Sequence, residues 1–153
     1  MALISGCRSR NFTPVQAPNI ELKDLADHTV SLASFKGHPV LLDFWATWCG
    51  PCQISVPMVQ RFYAAHKDQG LVVLGINVDD DPSGVYPFVK HFKMTYPILY
   101  GGGSSVSEDY GVDGIPMFIF IDKDGRVVQR YDGFRPDMAE EWEHQFQLMT
   151  AAH

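Results

Sequence analysis

Val40-Leu41-Leu42-Asp43-Phe44-Trp45-Ala46-Thr47-Trp48-Cys49-Gly50-Pro51-Cys52 is the stretch on which the reading of this chain turns. Its first six residues form a near-continuous apolar run, the pattern of a strand buried on both faces. Its last four are Cys-x-x-Cys. From Cys52 to about His66, the apolar residues Ile54, Met58, Val59, Phe62 and Tyr63 recur at helical spacing. Pro57 falls inside that helix, where it removes one hydrogen bond and is expected to kink it. Gly70 then marks the chain break near the helix end.

A pair of cysteines between a buried strand and a helix start has a definite chemistry. Cys49 is placed at or next to the helix N-cap, where free backbone N–H groups and the positive end of the helix dipole favour a thiolate. A lowered thiol pKa leaves more of it nucleophilic near neutral pH. Cys52 follows one helical turn later on the same side, close enough to release a partner from a mixed disulfide. Pro51 suits and stiffens the first turn, and Gly50 lets another chain approach closely. Half of a zinc site is the competing reading. Zinc needs four ligands, or three plus water, and there is no second Cys-x-x-Cys. The six histidines (His28, His38, His66, His91, His144, His153) are scattered with no His-x3-His pair. A purely structural cysteine pair is a third reading.

Outward from this centre, strands and helices alternate. Ile20 to Leu22 and Thr29 to Leu32 read as a small β-hairpin. Leu71 to Val78 is a second buried strand. Asp79-Asp80-Asp81 reads as a solvated loop and helix cap, leading to a helix over Val85 to Phe92. Tyr96 to Leu99 is extended. Gly101-Gly102-Gly103 lacks the spacing and lysine of a phosphate loop and reads as a flexible loop. A short helix over Ser105 to Tyr110 follows. Met117 to Ile121 is a third strong strand, and Asp122-Lys123-Asp124-Gly125 a hairpin turn. Arg126 to Tyr131 is the partner strand. Asp137 to about Met149 closes the chain as an amphipathic helix with Trp142 and Phe146 in the core. This order predicts an α/β fold with a mixed central sheet and helices on both faces.

Composition narrows the function classes. With 153 residues, one domain is expected. An apolar fraction of 46% supports a core and excludes global disorder. No run reaches the roughly eighteen apolar residues of a membrane span. The net charge of −6 argues against a nucleic-acid partner, because affinity for phosphate backbones comes from clustered Lys and Arg. Three cysteines are too few for a disulfide scaffold.

Phe44-Trp45-Ala46-Thr47-Trp48-Cys49-Gly50-Pro51-Cys52 resembles the active-site segment of the thioredoxin superfamily. The surrounding pattern is similar to the TlpA/ResA-like extracytoplasmic thiol–disulfide oxidoreductases. It comprises Leu32-Ala33-Ser34-Phe35-Lys36-Gly37-His38-Pro39-Val40-Leu41-Leu42, the insertion from about Asp81 to Tyr110, and Tyr110-Gly111-Val112-Asp113-Gly114-Ile115-Pro116 with the strand after it. The resemblance covers about residues 15 to 150. It implies a thioredoxin fold with an N-terminal β-hairpin and a central insertion. Residues 1–19 read as a leader or flexible arm, because Ser5-Gly6, Ser9 and Asn11 are turn formers and Pro14 and Pro18 block regular pairing, and 20–150 as the domain.

What the resemblance implies for single residues goes further than their local reading. Pro116 alone is a strand-edge proline. The family implies a cis Ile115–Pro116 bond packed against the sulfurs, exposing Ile115 backbone groups to an incoming chain and keeping metal ligands away. Asp43 alone is a buried acid with a pKa raised by desolvation, either hydrogen-bonded and inert or a proton acceptor for Cys52. The match to thioredoxin's buried aspartate favours the acceptor. The chain departs from many TlpA-like relatives at Asp43, where they carry a non-acidic residue, and at Ser55, where several carry glutamate. Trp48 is expected to be a partly exposed contact platform, and Trp45 to pack in the core.

The expected function is reduction of protein disulfides through Cys49 and Cys52, with the Gly-Pro pair pointing to a reductant and the family to cytochrome c maturation. No cofactor and no metal are expected. The partners implied are protein disulfides and a membrane thiol-electron donor, with the protein itself a monomer. A peroxiredoxin-type peroxidase is the first alternative, although Thr47-Trp48 before Cys49 departs from its Pro and Thr spacing. A non-enzymatic thiol- or metal-binding module is the second. The family places the protein outside the cytoplasm, in a bacterial periplasm or envelope. Leu3-Ile4-Ser5-Gly6-Cys7 resembles a lipoprotein cleavage box and would make Cys7 a lipid anchor, although the charged start and apolar run of a signal peptide are missing.

Overall fold

A computed structural model of the protein describes residues 14–151; Cys7 and the sequence around it lie outside the described residues. The elements in chain order are β1 (Val15–Gln16), β2 (Glu21–Lys23), β3 (Thr29–Ser31), β4 (Val40–Trp45), α1 (Gly50–His66), β5 (Val72–Asn77), α2 (Val85–His91), β6 (Ile98–Tyr100), α3 (Val106–Asp109), β7 (Met117–Ile121), β8 (Arg126–Asp132) and α4 (Met138–Thr150).

The three apolar runs of the sequence lie side by side at the centre of the sheet. Its strand order is β1-β8-β7-β4-β5-β6. β4 pairs parallel with β5 and antiparallel with β7. All six residues of β4 are buried, because helices or the hairpin cover both faces. Successive side chains of a strand point to opposite faces, so β4 feeds two cores. Leu41 and Trp45 enter the core built with α1, α2 and α4. Leu42 and Phe44 enter the opposite core, with Ile20, Leu32 and the α3 residue Val106.

Aromatic packing fixes α1 against the sheet. Phe62 meets Phe120 of β7 and Trp142 and Phe146 of α4 edge-on, at centroid separations of 6.2, 5.6 and 6.2 Å. Burying a ring of this kind is worth about 2–3 kcal/mol. At the far end of α1, His66 Nε2 lies 2.7 Å from the Glu143 carboxylate of α4. The helix that carries the cysteines is thus clamped along its length.

Two expectations about the chain path need correction. Residues 14–19 are not all a free arm: Val15–Gln16 pairs antiparallel with β8 as Val15↔Val127 and Gln16↔Arg126, and Ala17 is buried. Pro14 and Pro18 flank this strand rather than interrupt it, and a residue before proline is biased toward extended backbone. The glycine run is also more constrained than a flexible loop. The Gly101 amide donates to Asn77 O at 2.7 Å, and a Cβ added at Gly102 would lie 2.0 Å from the Asp79 carbonyl oxygen. Only a residue without a side chain fits that close approach.

Candidate functional site

The turn from β4 into α1 sets the sulfurs. Cys49 is the N-cap of α1, with extended backbone, and its Sγ accepts the Cys52 amide at 3.2 Å. Pro51 sits in the first turn, where its missing N–H costs no intrahelical bond. Cys49 and Cys52 are joined as a disulfide, with Cα atoms 5.2 Å apart. Both cysteines are buried, whereas Gly50 and Pro51 between them are exposed. Trp48, immediately before Cys49, is 69% exposed, while Trp45 is fully buried. Pro57 lies inside α1 as expected.

The Ile115–Pro116 peptide bond is cis, at the entry to β7. Trp48 and Ile115 line the same groove, of about 350 Å³, together with Val78, Val112 and Asp113. The sequence singled out Trp48 and Ile115 but not Val78 or Val112. Their role comes from tertiary placement alone, since one directly follows β5 and the other follows α3.

Asp43 is fully buried on the face of β4 that it shares with Leu41 and Trp45, the face covered by α1 and Cys52. Burial pushes its carboxyl up to about 7, and a hydrogen bond from Tyr96 pulls the other way. Tyr96 Oη donates to Asp43 Oδ2 at 3.0 Å, and Asp43 Oδ1 has no partner among the described residues. The Tyr96 phenol is itself held well above its ordinary value by burial and by the carboxylate beside it. It therefore stays a donor. Ser55, where a glutamate was the alternative acid, is buried and back-bonds to Cys52 O at 3.2 Å.

Asp79 corrects a third expectation. Asp81 does cap the short turn 82–84, accepting from Ser83 N. Asp79 is instead only 8% exposed. Its Oδ2 accepts from Thr47 N at 2.9 Å and Asn77 Nδ2 at 2.7 Å, and its Oδ1 from Thr47 Oγ1 at 2.6 Å. Asp79 N closes the set by donating to Asn77 Oδ1 at 3.1 Å. This carboxylate ties the end of β5 to the turn just before Trp48 and Cys49. Nothing in the acidic triplet distinguished it from its neighbours; the one signal was a threonine at 47 needing a partner.

Among the described residues no cluster of three His, Cys, Asp or Glu side chains could hold a metal ion. No helix of the described residues is long and apolar enough to cross a membrane.

A buried, disulfide-linked cysteine pair at a helix start, with a cis-proline at the entry to a strand of the same mixed sheet, defines a thiol–disulfide oxidoreductase of the thioredoxin class. The chain belongs to the Redoxin family, whose model matches residues 14–144. It is 35% identical over 118 residues to the thiol–disulfide oxidoreductase ResA of Bacillus thuringiensis subsp. konkukian, covering 77% of this chain and 68% of the relative. The ResA protein of Geobacillus kaustophilus is 36% identical over 117 residues, covering 76% and 67%. A putative thiol:disulfide interchange protein DsbE from Chlorobium tepidum superposes with a TM-score of 0.86 at 30% identity, covering 90% of this chain and 97% of that one. The expected thioredoxin fold and thiol–disulfide oxidoreductase activity both stand on these likenesses.

Proposed function

We propose that the protein is a reductant of protein disulfides, with Cys49 as nucleophile and Cys52 as the resolving thiol. The Cys49 thiolate attacks one sulfur of a substrate disulfide; that bond breaks and the other substrate sulfur leaves as a thiolate. Cys52 loses its proton to Asp43 and attacks Cys49 Sγ, and the second substrate thiolate leaves. Two electrons pass from the dithiol to the substrate, which takes up two protons, and Cys49 and Cys52 end as a disulfide. No cofactor enters this cycle. Trp48, Gly50, Pro51 and the Ile115–Pro116 segment form the face that receives the substrate chain.

The observation that carries this reading is the placement of Cys49 as N-cap of α1, with its sulfur facing the amide of Cys52. Free N–H groups of a first turn stabilise negative charge there. The relatives named as thiol–disulfide oxidoreductase ResA support the oxidoreductase reading, and the resemblance to the TlpA/ResA-like group implies a site of action outside the cytoplasm and a place in cytochrome c maturation. The protein would work there as a monomer, held through a lipid on Cys7 and recharged by a membrane thiol donor.

Insulin reduction by the dithiothreitol-reduced protein tests the assignment. The wild type is expected to precipitate insulin chains rapidly, and Cys49→Ser to fall to the uncatalysed rate. Equal rates would remove Cys49 from the mechanism. Direction is tested by the dithiol potential: a value near the about −270 mV of thioredoxin fits a reductant, whereas one near about −120 mV fits an oxidant.

A further inference from the structure

Gly75 of β5 lies opposite Asp43 of β4 in the parallel register. There is no room for a side chain on it. A Cβ would come within 2.7 Å of Ile98 Cδ1, 2.9 Å of Tyr96 Cε2 and 3.2 Å of Trp45 Nε1. The Tyr96 ring occupies the space beside the acid that a larger residue at 75 would fill. Its hydroxyl ends on Asp43 Oδ2, and both side chains are buried.

No other group competes for this role. The ionisable side chains packed into the same core are Cys49 at the N-cap of α1, Cys52 and Tyr63 from α1, Tyr100 from β6, Tyr131 from β8 and Tyr96 itself. His66 lies at the opposite end of α1, engaged with Glu143. Asp79 is committed to Thr47 and Asn77. Among the described residues the buried polar or charged side chains are Asp43, Ser55, Asn77 and Asp79, so no buried cation balances the Asp43 carboxylate.

We infer that Tyr96 is a positioning residue for the resolving step, its hydroxyl holding one oxygen of Asp43 so that the other is left to take the Cys52 proton. This rests on the reading of Asp43 as proton acceptor. The proton passes from Cys52 Sγ to the Asp43 carboxylate; the thiolate so formed displaces the substrate sulfur from Cys49; the phenol keeps its own proton throughout. A hydrogen bond to an ionised group stabilises it, so the tyrosine also sets the pH at which the acceptor becomes available.

The test uses the reduced full chain and Ellman's reagent, which releases one coloured thiolate when Cys49 attacks and a second when Cys52 resolves. The second phase is followed from pH 5 to 9. Tyr96→Phe keeps the ring beside Gly75 and deletes only the donor. The expected result is an unchanged first phase, and a second phase whose midpoint moves up by about one pH unit, leaving it about tenfold slower below the midpoint. In an Asp43→Asn background the same tyrosine change is expected to do nothing further. An independent readout is NMR titration of the Asp43 carboxyl in oxidised Tyr96→Phe, where the midpoint is expected to rise. A Tyr96→Phe profile superposing on wild type, or a shift that persists without Asp43, overturns the inference while leaving Asp43 as acceptor. If Asp43→Asn itself leaves the wild-type profile unmoved, the acceptor reading fails and the role of Tyr96 fails with it.

Discussion

Asp43 and Asp79 are both buried carboxylates on the central strands or just past them, and they are built in opposite ways. Asp79 is saturated: its two oxygens take three hydrogen bonds, from Thr47 and Asn77. Asp43 is starved, with one bond from Tyr96 and one oxygen that has no partner among the described residues. Bonds of this kind favour the ionised form, and burial without them disfavours it. The saturated acid holds a shape, namely the turn that presents Trp48 and Cys49. The starved acid has a proton affinity shifted toward neutrality, which is what a proton carrier requires.

The comparison breaks most decisively at Asp43. Its carboxyl is pushed from 3.8 up to about 7. Across that window the folded protein retains a proton that the unfolded chain has released, so unfolding free energy falls as pH rises and is lowest above the window. Urea unfolding of oxidised wild type and Asp43→Asn at several pH values is the measurement. The difference between them is expected to be constant below about pH 4 and to move by about 4 kcal/mol in the variant's favour by pH 8. A pH-independent difference would make Asp43 an ordinary polar residue.

Asp79→Ala is the next largest change and has the opposite sign. It strands the Thr47 amide, the Thr47 hydroxyl and the Asn77 amide, and is expected to cost about 3 kcal/mol in urea at pH 7. It should also slow insulin reduction, because the turn before Cys49 loses its anchor. A neutral result would show that the turn is held by other means. Gly102→Ala sharpens the same point at smaller scale. Its Cβ would fall 2.0 Å from the Asp79 carbonyl oxygen, so backbone has to shift, at an expected cost of about 2 kcal/mol. Gly114→Ala, whose Cβ meets nothing within 4 Å, is the control, expected to stay within about 0.5 kcal/mol of wild type.

These two acids also mark where the sequence is legible and where it is not. β4, β5 and β7 are readable because each is a near-continuous apolar run, and α1 because its apolar residues recur at helical spacing from Cys52. The Cys49/Cys52 chemistry is readable because strand, Cys-x-x-Cys and helix are contiguous. Asp43 is readable as a buried acid for the same local reason. Its tyrosine is not, since Tyr96 lies 53 residues away, and Asp79 reaches Thr47 across 32. No periodicity links such pairs. They are defined by space, and the residues that make the space, Gly75 and Gly102, look in sequence like any other glycine. β1 was obscured by its flanking prolines, which suggested an arm while in fact limiting a strand to two residues.

That short strand has a consequence at the rim of the sheet. On one side the ledge is two residues long, bounded by Pro14 and Pro18; on the other, β6 offers three residues after Pro97, with Leu99 already bridged to Asp24. Neither ledge is long or flat enough to template stacking of sister molecules, and proline interrupts the ladder where it would otherwise continue. Fibril growth from this protein would have to begin from unfolded chain rather than from its native edge.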